Sequence, residues 1–553
     1  MYHPFPLEFA YFAPDVADTA IRKRRGAYRF NCILFKLHIM YKLSIIKTMK
    51  RGFGFLASLG IALTAVSCSD SDKNDGIAAY DPAGTLEISG FTPEEGGYQD
   101  QIIIYGSNFG NNKDNVSLRI GGKEAVVVSV ASDKLYAFVP SGAFSGEIEL
   151  TVTDDSGNGA KTIVSGKKFN YIRKKVVGTL VGYQNEQDDQ GEIWGSFDIA
   201  AGFNAEGCLK FDPLNPNILY AVYDRGDGFV AQLDLAGRTA TKLLDANRFQ
   251  NQRLRNIDFT IDGKYMLVST DRADNSNHST SVWVVERGGN GSFSVRTPQV
   301  LHAYKQCNGV AVHPVNGEIY FNSYENGSLF RGEFEDYLEA QANPIPDLNN
   351  PGNTFSWTGF MDDAHYTTFR ELYRIQDPSY EFQITIHPSG DYAYITIVNR
   401  NVIMRTDYDW NKKEFTTPYV IAGLNSNLDD GSWEDAVGTN ARIHRPYQGV
   451  FVYNPEYAKE GKDDHYDYYF CDCLNFCVRY VTPDGLVRTF AGRAPSTNGN
   501  IWGTEDGDLR QQARFRDVTG LAYDQENDIF YVLDHNNRRV RTISLENEET
   551  EAE

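Results

Sequence analysis

The sequence predicts an all-β protein, a small sandwich followed by an array of six repeated strand modules. Two observations carry this. A module of roughly forty to sixty residues recurs along the last two-thirds of the chain, as arrayed folds require, and it is clearest at 513–544, ARFRDVTGLAYDQENDIFYVLDHNNRRVRTIS. There an apolar strand at 518–523 leads through a polar turn to 529–533, and residues 534–537 lead on to 540–543. Short β-branched and aromatic runs between Asp/Asn/Gly clusters read as antiparallel hairpins. Ahead of this array, residues 86–172 hold short strands at close spacing with no helical period, which argues a sandwich.

Composition agrees with folded cores and removes one class of partner. The 553 residues are 41% hydrophobic and 13% aromatic, ample for packing. Net charge is −21; residues 1–67 hold ten Lys and Arg against three Asp and Glu, so the remainder carries −28. So acidic a surface repels phosphate backbones, and no nucleic acid is expected as a partner. Seven cysteines are too few and too irregular for a disulfide scaffold. Cys208 and Cys307 open apolar strands, where a cysteine acts as a small buried hydrophobe.

The N-terminal residues read as an address. Residues 1–48, with the Arg22-Lys23-Arg24-Arg25 cluster, fit no mature structure and are expected to be a mis-called upstream extension, with Met49 as the start. Met49-Lys50-Arg51 precedes an apolar run at 52–66 that closes in Leu63-Thr64-Ala65-Val66-Ser67-Cys68. A membrane span needs about twenty residues, so this run is too short to be one. Residues 49–67 resemble a lipoprotein signal peptide, which implies lipidation of Cys68 and attachment through that lipid alone. Ser69-Asp70-Ser71-Asp72-Lys73-Asn74-Asp75, opening an acidic linker over 68–84, is similar to the export tag of Bacteroides-type surface lipoproteins. That resemblance implies an outer-membrane protein facing the exterior; a plain solvated linker is the alternative. A calcium loop is excluded, because Asp75 stands where the sharp turn needs Gly.

In the sandwich, strands are expected at 102–105, 116–120, 125–130, 134–139, 147–152 and 168–172. Phe91-Thr92-Pro93-Glu94-Glu95-Gly96-Gly97, Ile104-Tyr105-Gly106-Ser107-Asn108-Phe109-Gly110, Val139-Pro140-Ser141-Gly142 and Ser145-Gly146 resemble the IPT/TIG domain. This implies an immunoglobulin-like fold over 85–172, of a kind that serves as spacer or binding module.

Six copies of the module follow, centred on 208–224, 257–271, 309–324, 383–399, 449–480 and the clear copy. Asp534-x-x-Asn537-x-x-Val540-Arg541 resembles the NHL repeat, strongly in copies five and six and weakly in two to four. The resemblance implies a six-bladed β-propeller over 173–545, before an acidic tail at 546–553. A closed ring must borrow a strand across the chain ends or leave an edge exposed. The sixth copy stops after three strands, and KVVGTLVG at 175–182 aligns with the fourth strand of copy five, GLVRTFAG at 485–492. The first strand of the ring is therefore expected to be the outer strand of the last blade.

Loop bookkeeping locates a candidate ligand face. Loops joining strands two and three share a face with the loops between blades. Trp194, Trp433 and Trp502 fall in such inter-blade loops, and Trp357 is a further candidate. Tryptophans beside Asp and Asn are what a sugar platform needs, since ring faces stack while carboxylates and amides take hydroxyls. Asp472 and Asp534, with Asp224 and Asp271, are the matching hydrogen-bonding candidates; Tyr183, Tyr324, Tyr366 and Tyr447 are second in rank. Packing between blades is the alternative for the tryptophans, and capping of the hairpin for the aspartates.

Other motifs carry less. Cys471, Cys473 and Cys477 lack the paired spacing of a zinc site and read as strand and hairpin residues. His313 and His387 share one turn position with Asp212, each before a proline, and read as turn residues; His365, His444 and His465 are loop histidines without a partner. No cofactor, metal or catalytic residue is expected. The resulting functional expectation is a cell-surface lipoprotein that binds glycan or another extracellular ligand through one propeller face. Its layout resembles accessory proteins of polysaccharide utilisation, which implies a polysaccharide or oligosaccharide ligand and an outer-membrane transporter complex as partner. A hydrolase or lyase of unknown substrate and a protein-interaction scaffold are the alternatives.

Overall fold

The computed structural model describes residues 78–182, 191–224, 228–271, 279–304, 306–323, 327–343, 345–346, 354–355, 369–375, 381–492 and 501–546. Cys68, Trp357, Tyr183, Tyr324, Tyr366 and His365 lie outside them. The described chain is almost wholly β.

The N-terminal domain is an immunoglobulin-like sandwich. Glu87–Thr92, Gln101–Ser107, Lys134–Phe138 and Lys123–Ala131 run side by side, and the series continues through Val116–Ile120, Gly146–Val152 and Lys161–Tyr171. Period-two alternation puts Ile102, Ile104, Leu118, Ile120, Leu135, Ile148, Leu150 and Phe169 into one core and polar residues outside. Strand residues at alternate positions must share a face, so register and core are one decision.

The six modules form six antiparallel blades. Their first strands are Leu209–Asp212, Arg253–Phe259, Val310–Val312, Phe382–Ile386, Pro446–Tyr453 and Val518–Asp524. Packing lies between blades: Tyr531, Leu533, Leu209 and Tyr223 share one cluster across blades 6 and 1, and Tyr220, Ile257 and Val268 another across blades 1 and 2. Four further clusters repeat this around the ring. Each blade is therefore apolar on both faces, which explains why its strands read as continuous apolar runs rather than alternating ones.

The ring closes as expected. Lys175–Val181 pairs antiparallel with Arg539–Leu545, with Val177 opposite Ile543 and Val181 opposite Val540. Blade 3 departs from the simple pattern. Its third strand, Ser328–Gly332, is followed by a helix, Phe334–Ala342, before the fourth, Arg370–Arg374. Phe334, Tyr337 and Ala340 recur at helical spacing and are the buried residues of that helix; the Phe334 ring meets Tyr265 of blade 2 at 5.0 Å.

The two domains are joined at blade 6. Glu546 is buried and accepts the backbone N–H groups of Gly142 at 3.0 Å and Lys174 at 3.3 Å, as well as the Tyr171 hydroxyl. Lys174 in turn donates to Asp100 at 2.6 Å, and the Tyr98 hydroxyl meets Gln512 at 2.5 Å.

Candidate functional site

The repeat aspartates sit inside the blades. Asp472 and Asp534 are fully buried, each at the end of its second strand. Asp472 accepts the His444 N–H, the Asn475 amide and Arg479 Nη1, all at 2.8 Å. Asp534 accepts the Arg516 N–H at 2.7 Å, the Asn537 amide at 2.8 Å and Arg541 Nη1 at 2.9 Å. The arginines finish the clasp: Arg479 also donates to Asp435 and the carbonyls of Arg442 and Glu434, Arg541 to Asp506 and the carbonyls of Arg514 and Glu505. Burial pushes the Asp534 carboxyl up to about 6 against the pull of Arg541. With these partners inside the blade, both carboxylates have a structural place.

The tryptophans take equivalent positions at the blade edges. Trp194 packs edge-on to Phe229 at 5.2 Å and Phe203 at 6.2 Å, and the next residue, Gly195, pairs with the outer strand of blade 1. Trp433 donates its indole N–H to Thr489, on the outer strand of blade 5, at 2.9 Å. Trp502 is 42% exposed, with the Arg516 guanidinium 4.8 Å from its ring centre. Each tryptophan belongs to a different blade, and no ring contact links them among the described residues.

Side chains do converge at the axis, on the same face. Arg255 of blade 2 pairs with Asp224 at 2.5 Å and with Glu381 of blade 4. Arg253 meets Asp224 at 2.8 Å, and Asp271 stands 3.7 Å from Arg255. From blade 5, Arg445 pairs with Glu206 of blade 1 at 2.8 Å, and the Tyr447 hydroxyl donates to Glu206 at 2.7 Å. Glu206 is held below the usual carboxylate range because Arg445 and Tyr447 outweigh its burial, while burial raises Glu381. His535 is buried beside this group, Nδ1 without a partner among the described residues, and burial lowers its pKa. Asp224, Asp271 and Tyr447 were legible as loop candidates; Glu206, Arg255, Glu381 and Arg445 were not, because single residues from different blades leave no motif.

Beneath these braces the axis opens into a cavity of about 530 Å³, reaching the turns that follow the first strands. Its wall is built from those strands, with Phe211, Phe451 and Tyr523 among the apolar groups and Lys210, Asn256, Asp258, Gln383, Thr385 and Gln448 among the polar ones. Lys210 Nζ lies 2.7 Å from Asp258 Oδ1, whose other oxygen accepts the Val312 N–H at 2.9 Å. Gln448 accepts the N–H groups of Leu209 and Leu521 at 2.9 Å and donates to the Leu209 carbonyl at 2.8 Å. Gln383 is buried, and its Oε1 has no partner among the described residues. A concave, mostly apolar site with a few fixed polar groups can hold and orient a small polar ligand.

The other motifs take quieter places. Cys471, Cys473 and Cys477 are buried free thiols, and burial raises all three. His313 and His387 lie in the first turns of blades 3 and 4, His313 tilted against Tyr408 and His387 stacked on Tyr392, each at 4.5 Å. His444 serves the Asp472 clasp through its backbone, and His465 bonds the Lys462 carbonyl at 2.7 Å.

Comparison with known proteins extends the geometry. The IPT/TIG domain family matches residues 86–171. No curated protein matches the chain. Among solved structures, a Bacteroides thetaiotaomicron protein named "Putative phosphatase" is 46% identical, with TM-score 0.76, over 85% of this chain and 99% of that one. An auxiliary nutrient binding protein from the same organism is 35% identical, with TM-score 0.70, over 85% and 100%. One from Bacteroides ovatus is 29% identical, with TM-score 0.57, over the same shares.

Proposed function

Because the chain belongs to the family of these Bacteroides proteins, a TIG domain ahead of a six-bladed propeller, we propose that it is a surface lipoprotein binding a glycan nutrient at the propeller axis. The axial cavity carries this reading. Its volume of about 530 Å³ falls within the range of ligand pockets, and its wall mixes aromatic rings with amide, hydroxyl and carboxylate groups. Sugars use both kinds of surface, C–H faces against rings and hydroxyls against polar atoms. The nutrient-binding names of two relatives support an accessory role. In this reading Cys68 carries the lipid, the acidic residues after it direct the protein outward, and an outer-membrane transporter receives the ligand. The exposed ring of Trp502 is a second stacking surface on the opposite face.

The phosphatase name of the 46% identical relative has a poorer fit here. In the braces across the axis the arginines are already paired with carboxylates, and Glu206, Asp224, Asp271 and Glu381 outnumber Arg253, Arg255 and Arg445. A phosphate would meet net negative charge there.

Calorimetric titration against neutral glycans is the test. A soluble glycan is expected to bind, and Lys210→Met or Asp258→Asn to weaken it tenfold or more. Absence of binding by any glycan, or turnover of a phosphomonoester such as p-nitrophenyl phosphate, would sink the reading. Cys68→Ala is expected to move the protein from the membrane fraction to the soluble one.

A further inference from the structure

We infer that the axial cavity, capped at one end by the braces, receives the terminus of a short, uncharged glycan rather than the middle of a polymer. The inference rests on the glycan reading above. Its geometry comes from sequence neighbours at the axis. Asn256, Gln383 and Gln448 line the cavity. Arg255 directly precedes Asn256, Glu381 stands two residues before Gln383, and Tyr447 directly precedes Gln448. These preceding residues are the braces: Arg255 joins Glu381 from blade 2 to blade 4, and Tyr447 with Arg445 joins Glu206 from blade 5 to blade 1. Two cross-braces therefore seal the axis immediately beyond the cavity. The opposite end is lined by Pro213, Pro314, Pro388 and Gln525, which sit in the turns on the other face. A chain entering there must stop, so an internal stretch of polysaccharide has no way through.

The charge of the wall selects the ligand. Lys210 and Asp258 neutralise each other at 2.7 Å, leaving no unpaired charge among the described wall residues to meet a carboxylate or an amine. Burying an ionised ligand without a counter-charge is strongly unfavourable. Gln383 lines the wall, and its buried Oε1 has no donor among the described residues, a cost that turning the amide toward a ligand hydroxyl would relieve. Thr385 stands two residues along the same strand, donating at 3.3 Å to the Gly449 carbonyl.

The experiment is titration of the full-length protein with neutral gluco-, xylo- and manno-oligosaccharides of two to eight residues, their parent polysaccharides and an oligogalacturonate. The expected results are affinity that stops rising after two or three residues, no more than two proteins per chain at any length, and oligogalacturonate at least tenfold weaker. Gln383→Leu is expected to lose tenfold or more in affinity while its melting temperature stays at the wild-type value; Thr385→Val, at a neighbouring wall position, gives a second reading if Gln383→Leu unfolds. Stoichiometry that grows with chain length, or wild-type affinity in the variants, overturns end recognition and leaves glycan binding standing. Failure of every glycan to bind overturns both.

Discussion

Asp472–Arg479 and Asp534–Arg541 are ion pairs with no exposed side-chain surface. Removing one partner of such a pair strands a charge in the interior, so Arg541→Ala is expected to cost roughly 3–5 kcal/mol in urea unfolding, and Asp534→Ala with Arg541→Ala less than the sum of the singles. The same job is done without charge in blade 3, where the Asn322 amide oxygen accepts the N–H groups of Asn308 and Gly309 at 2.8 Å. Blade 3 therefore lacks the carboxylate that the two clearest repeats share at this position. His302 offers a pH test. It is buried against Phe321 at 4.5 Å, neither ring nitrogen has a partner among the described residues, and burial lowers its pKa to about 3. The unfolded chain takes up this proton near its ordinary value of about 6.5, the folded chain only near 3. Its contribution is thus full above pH 6.5 and lost as pH falls toward 3. The loss amounts to roughly 4–5 kcal/mol over that window. Melting curves of His302→Leu should lack that part of the acid dependence.

Among the elements, the borrowed strand Lys175–Val181 decides whether the ring is closed. Val177 is buried between blades 5 and 6, so Val177→Asp places a charge in an apolar layer and is expected to cost more than roughly 4 kcal/mol, read as thermal destabilisation with early proteolysis of blade 6. The strand was visible in advance because it aligns with the fourth strand of blade 5, sharing its Val, Thr and closing Gly positions. The helix Phe334–Ala342 was not. Its apolar spacing is brief, and a strand array sets the expectation of another hairpin. Its stability comes from Phe334 packing on Tyr265 of the neighbouring blade, a contact far away in sequence. Glu546 is the comparable device between domains. Glu546→Ala is expected to free the TIG domain, seen as a larger radius of gyration in X-ray scattering and cleavage near residue 172, with the propeller's own melting little changed.

For the whole molecule, the order of domains, the number of blades and the closure of the ring were all present in the linear chain. Each follows from local pattern: turn residues at fixed intervals, apolar runs of strand length, and a copied strand at the far end. Those patterns survive because every blade must solve the same packing problem against its neighbours. The candidate site obeys no such rule. Glu206, Arg255, Glu381 and Arg445 come from four blades, and the cavity wall draws single residues from the first strands around the ring. The tryptophans looked like a platform because repeat position puts them on one face, yet repeat position also spreads them to the edges of separate blades. A ring turns sequence neighbours into layers around an axis, and only after it has closed do residues a hundred or more positions apart come within hydrogen-bonding distance. Local pattern therefore determined the fold, whereas the convergence of charge and the axial cavity were decided by ring geometry, since distances across an axis are not written in any one repeat.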